Sequence, residues 1–147
     1  MRLAANYLVD RRALNDAGNL GASRFNKSMA PRGFEFALPI EPYPYDPARA
    51  KQLLAEAGYR NGFDAGELYP WPPYSSMGEA IGGHLAAAGI KSRLRTMERP
   101  AFYSALGSKK LCGVCVCINA VYGNAASRMA VTVPSDGAYA YDGYPDI

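Results

Sequence analysis

The sequence predicts an α/β fold with a small parallel or mixed sheet flanked by helices. Residues 47–57 place apolar side chains at helical spacing, and "IKSRLRTM" (90–97) alternates as a half-exposed strand does. From Phe63 onward, strand and helix patterns follow one another in turn. Short connections of this kind favour right-handed crossovers, which build a parallel sheet covered by helices.

Length and charge limit the classes of protein that fit. A chain of 147 residues with ordinary apolar content normally forms one domain, so we expect a single unit over 1–147. The formal charge is +3 and the basic residues are scattered, which gives little support to nucleic-acid binding. No stretch is long and apolar enough to insert into a membrane, and "MRLAANYLVDRRALNDAG" lacks the apolar centre of a signal peptide.

The N-terminal stretch reads as one amphipathic helix. Its apolar face consists of Ala5, Leu8, Val9, Ala13 and Ala17, and Gly18 is expected to end it. No N-cap residue precedes this helix, which suggests that it belongs to a longer protein. The irregular segment from Asn19 to Pro44 is expected to lie across a larger surface.

A second helix has clear boundary signals. Asp46 is a suitable N-cap, because its carboxylate can accept the free N–H groups of the first turn, and Pro47 suits the first helical position. Gly58 is expected to provide the left-handed C-terminal stop. The helix should therefore pack as an amphipathic surface element.

The remaining elements alternate. "FDAGELYP" predicts a strand that ends at Pro70, and Ser76 with Glu79 predicts a capping box for a helix reaching Gly89. A short helix should follow Pro100, and "LCGVCVCI" is apolar enough for a buried strand. Three glycines lower the helix propensity of the segment after Ser76, and each costs roughly 1 kcal/mol of helix stability relative to alanine. They are Gly78, Gly82 and Gly83.

Ligands of such sheets tend to bind beyond the carboxyl ends of the strands. These ends are the segments 69–74, 97–100 and 119–124. The first, "YPWPPY", holds Tyr69, Trp71 and Tyr74 among three prolines. Rigid aromatic side chains there either line a ligand site or pack on a neighbouring domain, and the residues alone do not separate these alternatives.

The other reactive residue types favour structural roles. On one strand Cys112 and Cys115 point to opposite faces, while Cys115 and Cys117 are held apart by the extended backbone, so we expect buried, inert thiols and no metal site. His84 has no nucleophile close in sequence and is interpreted as a surface or packing residue. No phosphate-binding loop, catalytic carboxylate pair or nucleophile elbow is present, so the sequence offers no argument for an enzyme.

A row of like charges, Lys91, Arg93 and Arg95, occupies alternate positions of the predicted strand 90–97. Such a row could bind an anion. It is more typical of the solvated face of a strand, which is the interpretation we favour.

Longer segments resemble a known family. "YPYDPARAKQLLAEAGYRNGF" and "GEAIGGHLAAAGIKSRLRTMERPAFYSAL" are similar to the C-terminal lobe of family 5 extracytoplasmic solute-binding proteins of ABC importers, which include dipeptide, oligopeptide and nickel binders. "RLAANYLVDRRAL" resembles the preceding helix, with Asp10 and Arg11 matching an Asp-Arg pair. The resemblance runs from about Arg2 to Ile147.

The resemblance implies a periplasmic-binding-protein-like lobe of a two-lobe protein several times longer, of which this chain is a fragment. It implies a non-enzymatic substrate-binding component that captures a peptide or other small solute, needs no cofactor, and delivers the solute to a membrane permease. It also implies that the exported parent is periplasmic. A stand-alone or decayed domain that serves as an interaction surface is the alternative, and an enzyme using the cysteines would need a reactive thiolate.

One stretch departs from the family pattern. Where peptide-binding relatives usually carry an acidic residue that pairs with the peptide amine, this chain reads "INAVYGNAASR". The acid is absent, which weakens the expectation of a peptide ligand. Combined with the aromatic loop, the resemblance gives the candidate ligand-binding residues Tyr69, Trp71, Tyr74, Asn119, Tyr122 and Asn124.

Overall fold

A computed structural model describes residues 1–27, 30–117, 124–132 and 137 of the chain. Among these, helices and strands alternate after an all-helical start. No helix in the described ranges combines the length and apolar character required to cross a bilayer. The elements in chain order are α1 (Arg2–Leu8), α2 (Arg11–Asn19), α3 (Pro47–Glu56), β1 (Phe63–Pro70), α4 (Ser75–Ala86), β2 (Ile90–Leu94), α5 (Arg99–Gly107), β3 (Gly113–Val116) and α6 (Ala125–Thr132).

The three strands form one parallel sheet in the order β2-β1-β3, which confirms the predicted sheet. Phe63 pairs with Ile90 at the start of β1, and Pro70 pairs with Val116 at its end. The β1–β2 register shifts between Asp64 and Glu67, where Gly66 adopts a φ of 80°. This irregularity leaves both carboxylates beside β2.

The sheet separates two hydrophobic cores. Leu68 belongs to the first core, whereas the next residue, Tyr69, belongs to the second, as expected for alternating side chains of a strand. The first core contains Ala4, Leu8, Ala50, Leu54, Leu68, Leu85 and Ile90. The second contains Tyr69, Trp71, Phe102, Leu106 and Leu111.

The N-terminal stretch forms two helices, so the prediction of one continuous helix is wrong. Val9 is extended, with a ψ of 108°, and this ends α1. The Asp10 side chain then accepts a hydrogen bond from the N–H of Ala13 and caps α2. The second helix continues through Gly18 to Asn19, and Leu20 in the left-handed region is its C-cap. Asp10 therefore interrupts the helical pattern as an N-cap instead of continuing it.

The boundaries predicted for the helix after Asp46 are confirmed. The Asp46 carboxylate accepts from the N–H of Arg49 at 2.9 Å, and Pro47 opens α3. Gly58 has a φ of 86°, in the left-handed region that ends many helices. The Asp46 N–H also donates to the carbonyl of Tyr7 at 2.9 Å, so the start of α3 is fixed to α1.

The glycines of α4 have a packing role. A Cβ atom on Gly78 would lie 2.7 Å from the Cβ of Pro70, so only glycine lets α4 approach β1 this closely. The Gly82 position would meet Leu68 at 3.5 Å, whereas Gly83 faces open space. The predicted capping box is wrong, because α4 begins at Ser75 and no side chain caps it.

The segment between α2 and α3 has no helix or strand in its described parts, in agreement with the sequence. Asn15, which is buried, organises its beginning. The Asn15 amide donates to the carbonyl of Ser23 at 3.0 Å and accepts from the N–H of Ser23 at 2.9 Å. Further along, Glu35 pairs with Asn124 through an isolated parallel bridge.

Candidate functional site

The carboxyl ends of the three described strands lie at one edge of the parallel sheet. The N–H of Trp71, just after β1, donates to the carbonyl of Val116 at the end of β3 at 2.8 Å. The N–H of Arg95, just after β2, donates to the carbonyl of Leu68 at 2.8 Å. The carboxyl edge is therefore built as the parallel topology predicts.

Four side chains form an aromatic platform at this edge: Trp71, Tyr74, Arg99 and Tyr103. The Tyr74 ring stacks on Trp71 with 5.5 Å between the ring centroids. The Tyr103 ring meets Trp71 edge-on, and the Trp71 indole N–H donates to the Tyr103 hydroxyl at 2.9 Å. The Arg99 guanidinium lies over Trp71, 5.2 Å from the ring centroid. Trp71 is therefore the centre that organises the other three.

The aromatic residues at this edge fall into two groups, one buried in the core and one exposed at the surface. Tyr69 and Trp71 are 6% and 9% exposed and belong to the second core. Tyr74 is 39% exposed and Tyr103 is 46% exposed. Tyr74 and Tyr103 therefore present ring surface to solvent, while Tyr69 serves mainly as packing beneath them.

Sequence reasoning missed Arg99 and Tyr103. Both belong to α5, where they stand four residues apart and so lie on the same face of the helix. The signal that could have found them was the position of α5 directly after the carboxyl end of β2. A helix that starts at this edge brings its first turns beside the aromatic loop.

The remaining predicted residues lie elsewhere or outside the described residues. Asn119 and Tyr122 fall among the residues that the structure does not describe. Asn124 precedes α6, and its amide oxygen accepts from the N–H of Ser127 at 2.9 Å and from the Ser127 hydroxyl at 2.8 Å. This is the pattern of an N-cap residue, so the amide oxygen already has partners within the chain. A ligand role for these three residues stays a prediction.

The surface beside Tyr74 is a shallow groove of about 160 Å³ between α2 and α4. Sites that enclose small molecules usually measure roughly 300–1,000 Å³. The groove is therefore too small to bury such a solute without another wall. Its lining consists of Leu14, Ala17, Gly18, Asn19, Tyr74, Ser76, Met77 and Ala80.

Arg93 forms ion pairs with two carboxylates of the chain, so it is not available to bind an anion. It contacts Asp64 at 3.1 Å and Glu67 at 3.2 Å. Hydrogen bonds from the Gly66 N–H and from Arg93 hold the pKa of Asp64 below its ordinary value, and the same two carboxylates raise the pKa of Arg93. Lys91, Arg93 and Arg95 are all exposed, as the interpretation of a solvated face predicts.

Arg99 differs from Arg93 because none of the described residues forms an ion pair with it. Its guanidinium is exposed and keeps its hydrogen-bond donors in solvent while one face rests on Trp71. An unpaired guanidinium held against a ring is a suitable partner for a planar anionic group.

The cysteines contradict the prediction of buried, separated thiols. Cys112 and Cys115 are exposed, and Cys117 is half-buried. The Sγ atoms of Cys115 and Cys117 lie 2.7 Å apart. The reason is that β3 ends at Val116, so strand geometry no longer fixes the position of Cys117. The strand is also less buried than predicted, because Gly113 and Cys115 face solvent.

Two further expectations concern metals and His84. In the described ranges, no three His, Cys, Asp or Glu side chains converge as metal ligands would. The His84 ring lies 6.1 Å from the ring of Tyr45, in keeping with a packing residue. Its Nδ1 atom is buried and has no hydrogen-bond partner among the described residues.

Comparison with known proteins assigns the chain to a family. The family model for bacterial extracellular solute-binding proteins, family 5 (middle region), matches residues 1–111. The chain belongs to this family. The suspected resemblance is therefore confirmed.

Two relatives with named ligands are similar to this chain. Heme-binding protein A of Haemophilus influenzae is 39% identical over 106 residues, covering 67% of this chain and 19% of the relative. Glutathione-binding protein GsiB of Salmonella choleraesuis is 34% identical over 101 residues, covering 67% of this chain and 20% of the relative. The chain thus spans about a fifth of the length of these relatives, and both carry the names of binding proteins rather than enzymes.

The fold is shared with HbpA2 from Haemophilus parasuis. Its solved structure matches with a TM-score of 0.80 at 22% identity, over 95% of this chain and 30% of that one. A small parallel sheet flanked by helices is therefore confirmed as the architecture of a periplasmic-binding-protein-like lobe.

Proposed function

We propose that this chain is a single lobe that forms one wall of the solute-binding cleft in a family 5 substrate-binding component of an ABC importer. The observation that carries the proposal is the exposed Tyr74 ring stacked on the buried, hydrogen-bonded Trp71 at the carboxyl edge of the sheet. A ring fixed in this way can contact a solute at little cost in conformational entropy.

The positive charge at the platform favours solutes that carry a carboxylate. The Arg99 guanidinium lies over Trp71 in the platform, and it has no carboxylate partner among the described residues. A solute with a carboxylate could pair with Arg99 while its apolar part covers Tyr74. The ligands in the names of the relatives, heme and glutathione, both contain carboxylates.

The second wall of the cleft would come from another lobe of a longer protein. Closure of two lobes over a solute buries the ligand and presents a changed surface to a membrane permease. We propose a periplasmic location for that protein, because solute capture for an importer takes place outside the inner membrane. The rigid helices α3 and α4 would hold this wall in shape during closure.

Tryptophan fluorescence tests the proposal directly. Trp71 is the single tryptophan of the chain, so the emission of the 147-residue chain reports only on the platform. Titration with glutathione should give weak quenching without saturation below millimolar concentration, since half a cleft leaves a solute hydrated. A panel of dipeptides, glutathione and hemin, titrated by calorimetry into the longer parent, should reveal at least one ligand of micromolar or tighter affinity.

Two variants of the parent locate the binding surface. Tyr74→Ala should weaken binding of that ligand by roughly two- to tenfold, since stacked aromatic contacts contribute roughly 0.5–1.5 kcal/mol. Tyr45→Ala is the matched control, because Tyr45 is also an exposed tyrosine but contacts His84 near the other end of α4. Equal effects of both variants, or micromolar binding by the isolated chain, would contradict the two-wall proposal. Failure of the whole panel to bind would favour an interaction domain without a ligand.

A further inference from the structure

The end of β3 brings two thiols together outside the aromatic platform. Cys115 pairs in register with Tyr69, and Cys117 follows the last residue of the strand. Their sulfur atoms lie 2.7 Å apart, and both side chains are accessible at least in part. The solute-binding role does not use these groups.

Strand geometry alone would not produce this contact. Residues two apart on a regular strand are separated by about 6.6 Å, which exceeds the roughly 3.5–4.5 Å between Cβ atoms that a disulfide requires. Because β3 stops at Val116, Cys117 can turn toward Cys115 while its side chain still packs against the second core. The fold therefore holds one thiol in place and leaves the other exposed to solvent.

We propose that Cys115 and Cys117 form a vicinal dithiol site that reacts with small-molecule disulfides and closes into an internal disulfide. In the first step the Cys117 thiolate attacks one sulfur of the small disulfide, forming a mixed disulfide and releasing one thiolate of the reagent. In the second step the Cys115 sulfur, after losing its proton to solvent, attacks Cys117 and releases the second thiol. The two cysteines are oxidised, and the small disulfide is reduced to two thiols.

The electrostatics of the pair assign the order of attack. A hydrogen bond from Cys115 stabilises the thiolate of Cys117 and lowers the pKa of Cys117. The same hydrogen bond raises the pKa of Cys115. Cys117 is therefore the first nucleophile, and Cys115 resolves the mixed disulfide once the negative charge on Cys117 has been removed.

Cys112 provides an internal comparison. It is exposed, precedes Gly113 at the opposite end of β3, and joins no cluster of metal-ligating side chains among the described residues. A thiol in this position can form a mixed disulfide but has no close partner to resolve it.

The experiment uses the reduced full chain, freed of reductant and treated with glutathione disulfide. After an acid quench, free thiols are alkylated and the chain is digested with trypsin. Because residues 111–127 contain neither lysine nor arginine, all three cysteines fall on one peptide, 111–128, and the linkage is read by fragmentation. A Cys115–Cys117 disulfide suppresses backbone fragments on either side of Val116 and leaves Cys112 outside the linkage, either alkylated or carrying one glutathione.

We expect the native chain to close the disulfide at least roughly tenfold faster than the urea-denatured chain, because the fold presents both sulfurs together. Cys112→Ser should leave this rate unchanged, whereas Cys115→Ser should stop at a stable glutathione adduct on Cys117. A lasting adduct on Cys117 of the unsubstituted chain would overturn the proposal. So would a linkage to Cys112, or equal closure rates in native and denatured chains.

Discussion

The indole N–H of Trp71 donates to the hydroxyl of Tyr103 across 2.9 Å, which fixes the orientation of the ring under Tyr74. Tyr103→Phe removes the acceptor and keeps the ring. We expect a loss of about 1 kcal/mol in the free energy of unfolding, the usual contribution of one hydrogen bond. Urea denaturation followed by Trp71 fluorescence measures it, and the native emission maximum should shift at the same time.

Tyr74→Phe is the matched control for that prediction. It also removes one tyrosine hydroxyl, but no described residue forms a hydrogen bond with the Tyr74 hydroxyl, and the stacked ring is retained. Its unfolding free energy should stay within a few tenths of a kcal/mol of the unsubstituted chain. Equal losses in both variants would show that the Trp71–Tyr103 hydrogen bond does not support the platform.

Two glycines of α4 should respond in opposite directions to the same substitution. Gly78→Ala places a Cβ 2.7 Å from the Cβ of Pro70, so overpacking of roughly 1–3 kcal/mol should exceed the gain in helix propensity. Gly83→Ala meets nothing within 4 Å and should stabilise the chain by up to about 1 kcal/mol. Thermal unfolding of both variants tests the pair, and stabilisation by Gly78→Ala would disprove the close packing of α4 on β1.

The acid stability of the chain should depend on Asp64. The folded-state pKa of Asp64 is held below the ordinary value of 3.8. The contribution of Asp64 to the free energy of unfolding is therefore fully present above that pH. The contribution is lost as the pH falls through the lower, folded pKa. Asp64→Asn should therefore flatten the decline of unfolding free energy as the pH falls below about 4.

Arg93→Gln separates the two hydrogen bonds that lower the pKa of Asp64, one from Arg93 and one from the Gly66 N–H. It removes one partner of Asp64 but keeps the hydrogen bond from the Gly66 N–H, which is the larger cause. Arg93→Gln should therefore retain more of the acid dependence than Asp64→Asn. Parallel stability curves for Asp64→Asn and the unsubstituted chain would contradict the prediction.

Asn124 should tolerate a charge better than the loss of its side chain. Asp is as good an N-cap as Asn, so Asn124→Asp should leave stability nearly unchanged, whereas Asn124→Ala should cost about 1 kcal/mol. In the longer protein proposed above, Asn124→Asp should raise the preference for a peptide over its N-acetylated form, because a buried ammonium needs a carboxylate. Calorimetric titration with both peptides measures the preference.

A negative result for Asn124 has a clear meaning. If the parent already prefers the free amine strongly and Asn124→Asp leaves that preference unchanged, this position does not recognise the amine. Glu35→Gln is then the informative variant, because the isolated bridge places Glu35 beside Asn124. Loss of the preference in Glu35→Gln would assign the missing acid to the segment before α3.

Local signals in the sequence predicted the elements whose boundaries depend on their own residues. Asp46, Pro47 and Gly58 act on adjacent backbone groups, so α3 could be predicted with its caps. The same local logic failed at Asp10, because an aspartate that is tolerated inside a helix is also a favoured N-cap. The structure shows the second state, in which the Asp10 carboxylate accepts from the N–H of Ala13.

The platform was predicted only in part, because its members come from two segments. Tyr74 and Trp71 are close in sequence, and their prolines marked the loop. Tyr103 reaches Trp71 from 32 residues away, through a contact that depends on how α5 crosses the sheet. The cysteine pair was missed for another reason: the end of β3 at Val116 could not be placed from an apolar run that continues beyond it.

The neighbouring residues Leu68 and Tyr69 pack into different cores on the two sides of β1. Because β1 contributes a buried side chain to each core, separation of β1 from β2 and β3 would expose both cores at once. The two halves of the lobe should therefore open as one cooperative unit, and the amide hydrogens of β1 should exchange with solvent only at the rate of global unfolding. A family member built in this way would move its wall of the cleft as a rigid body, with its internal flexibility confined to surface loops.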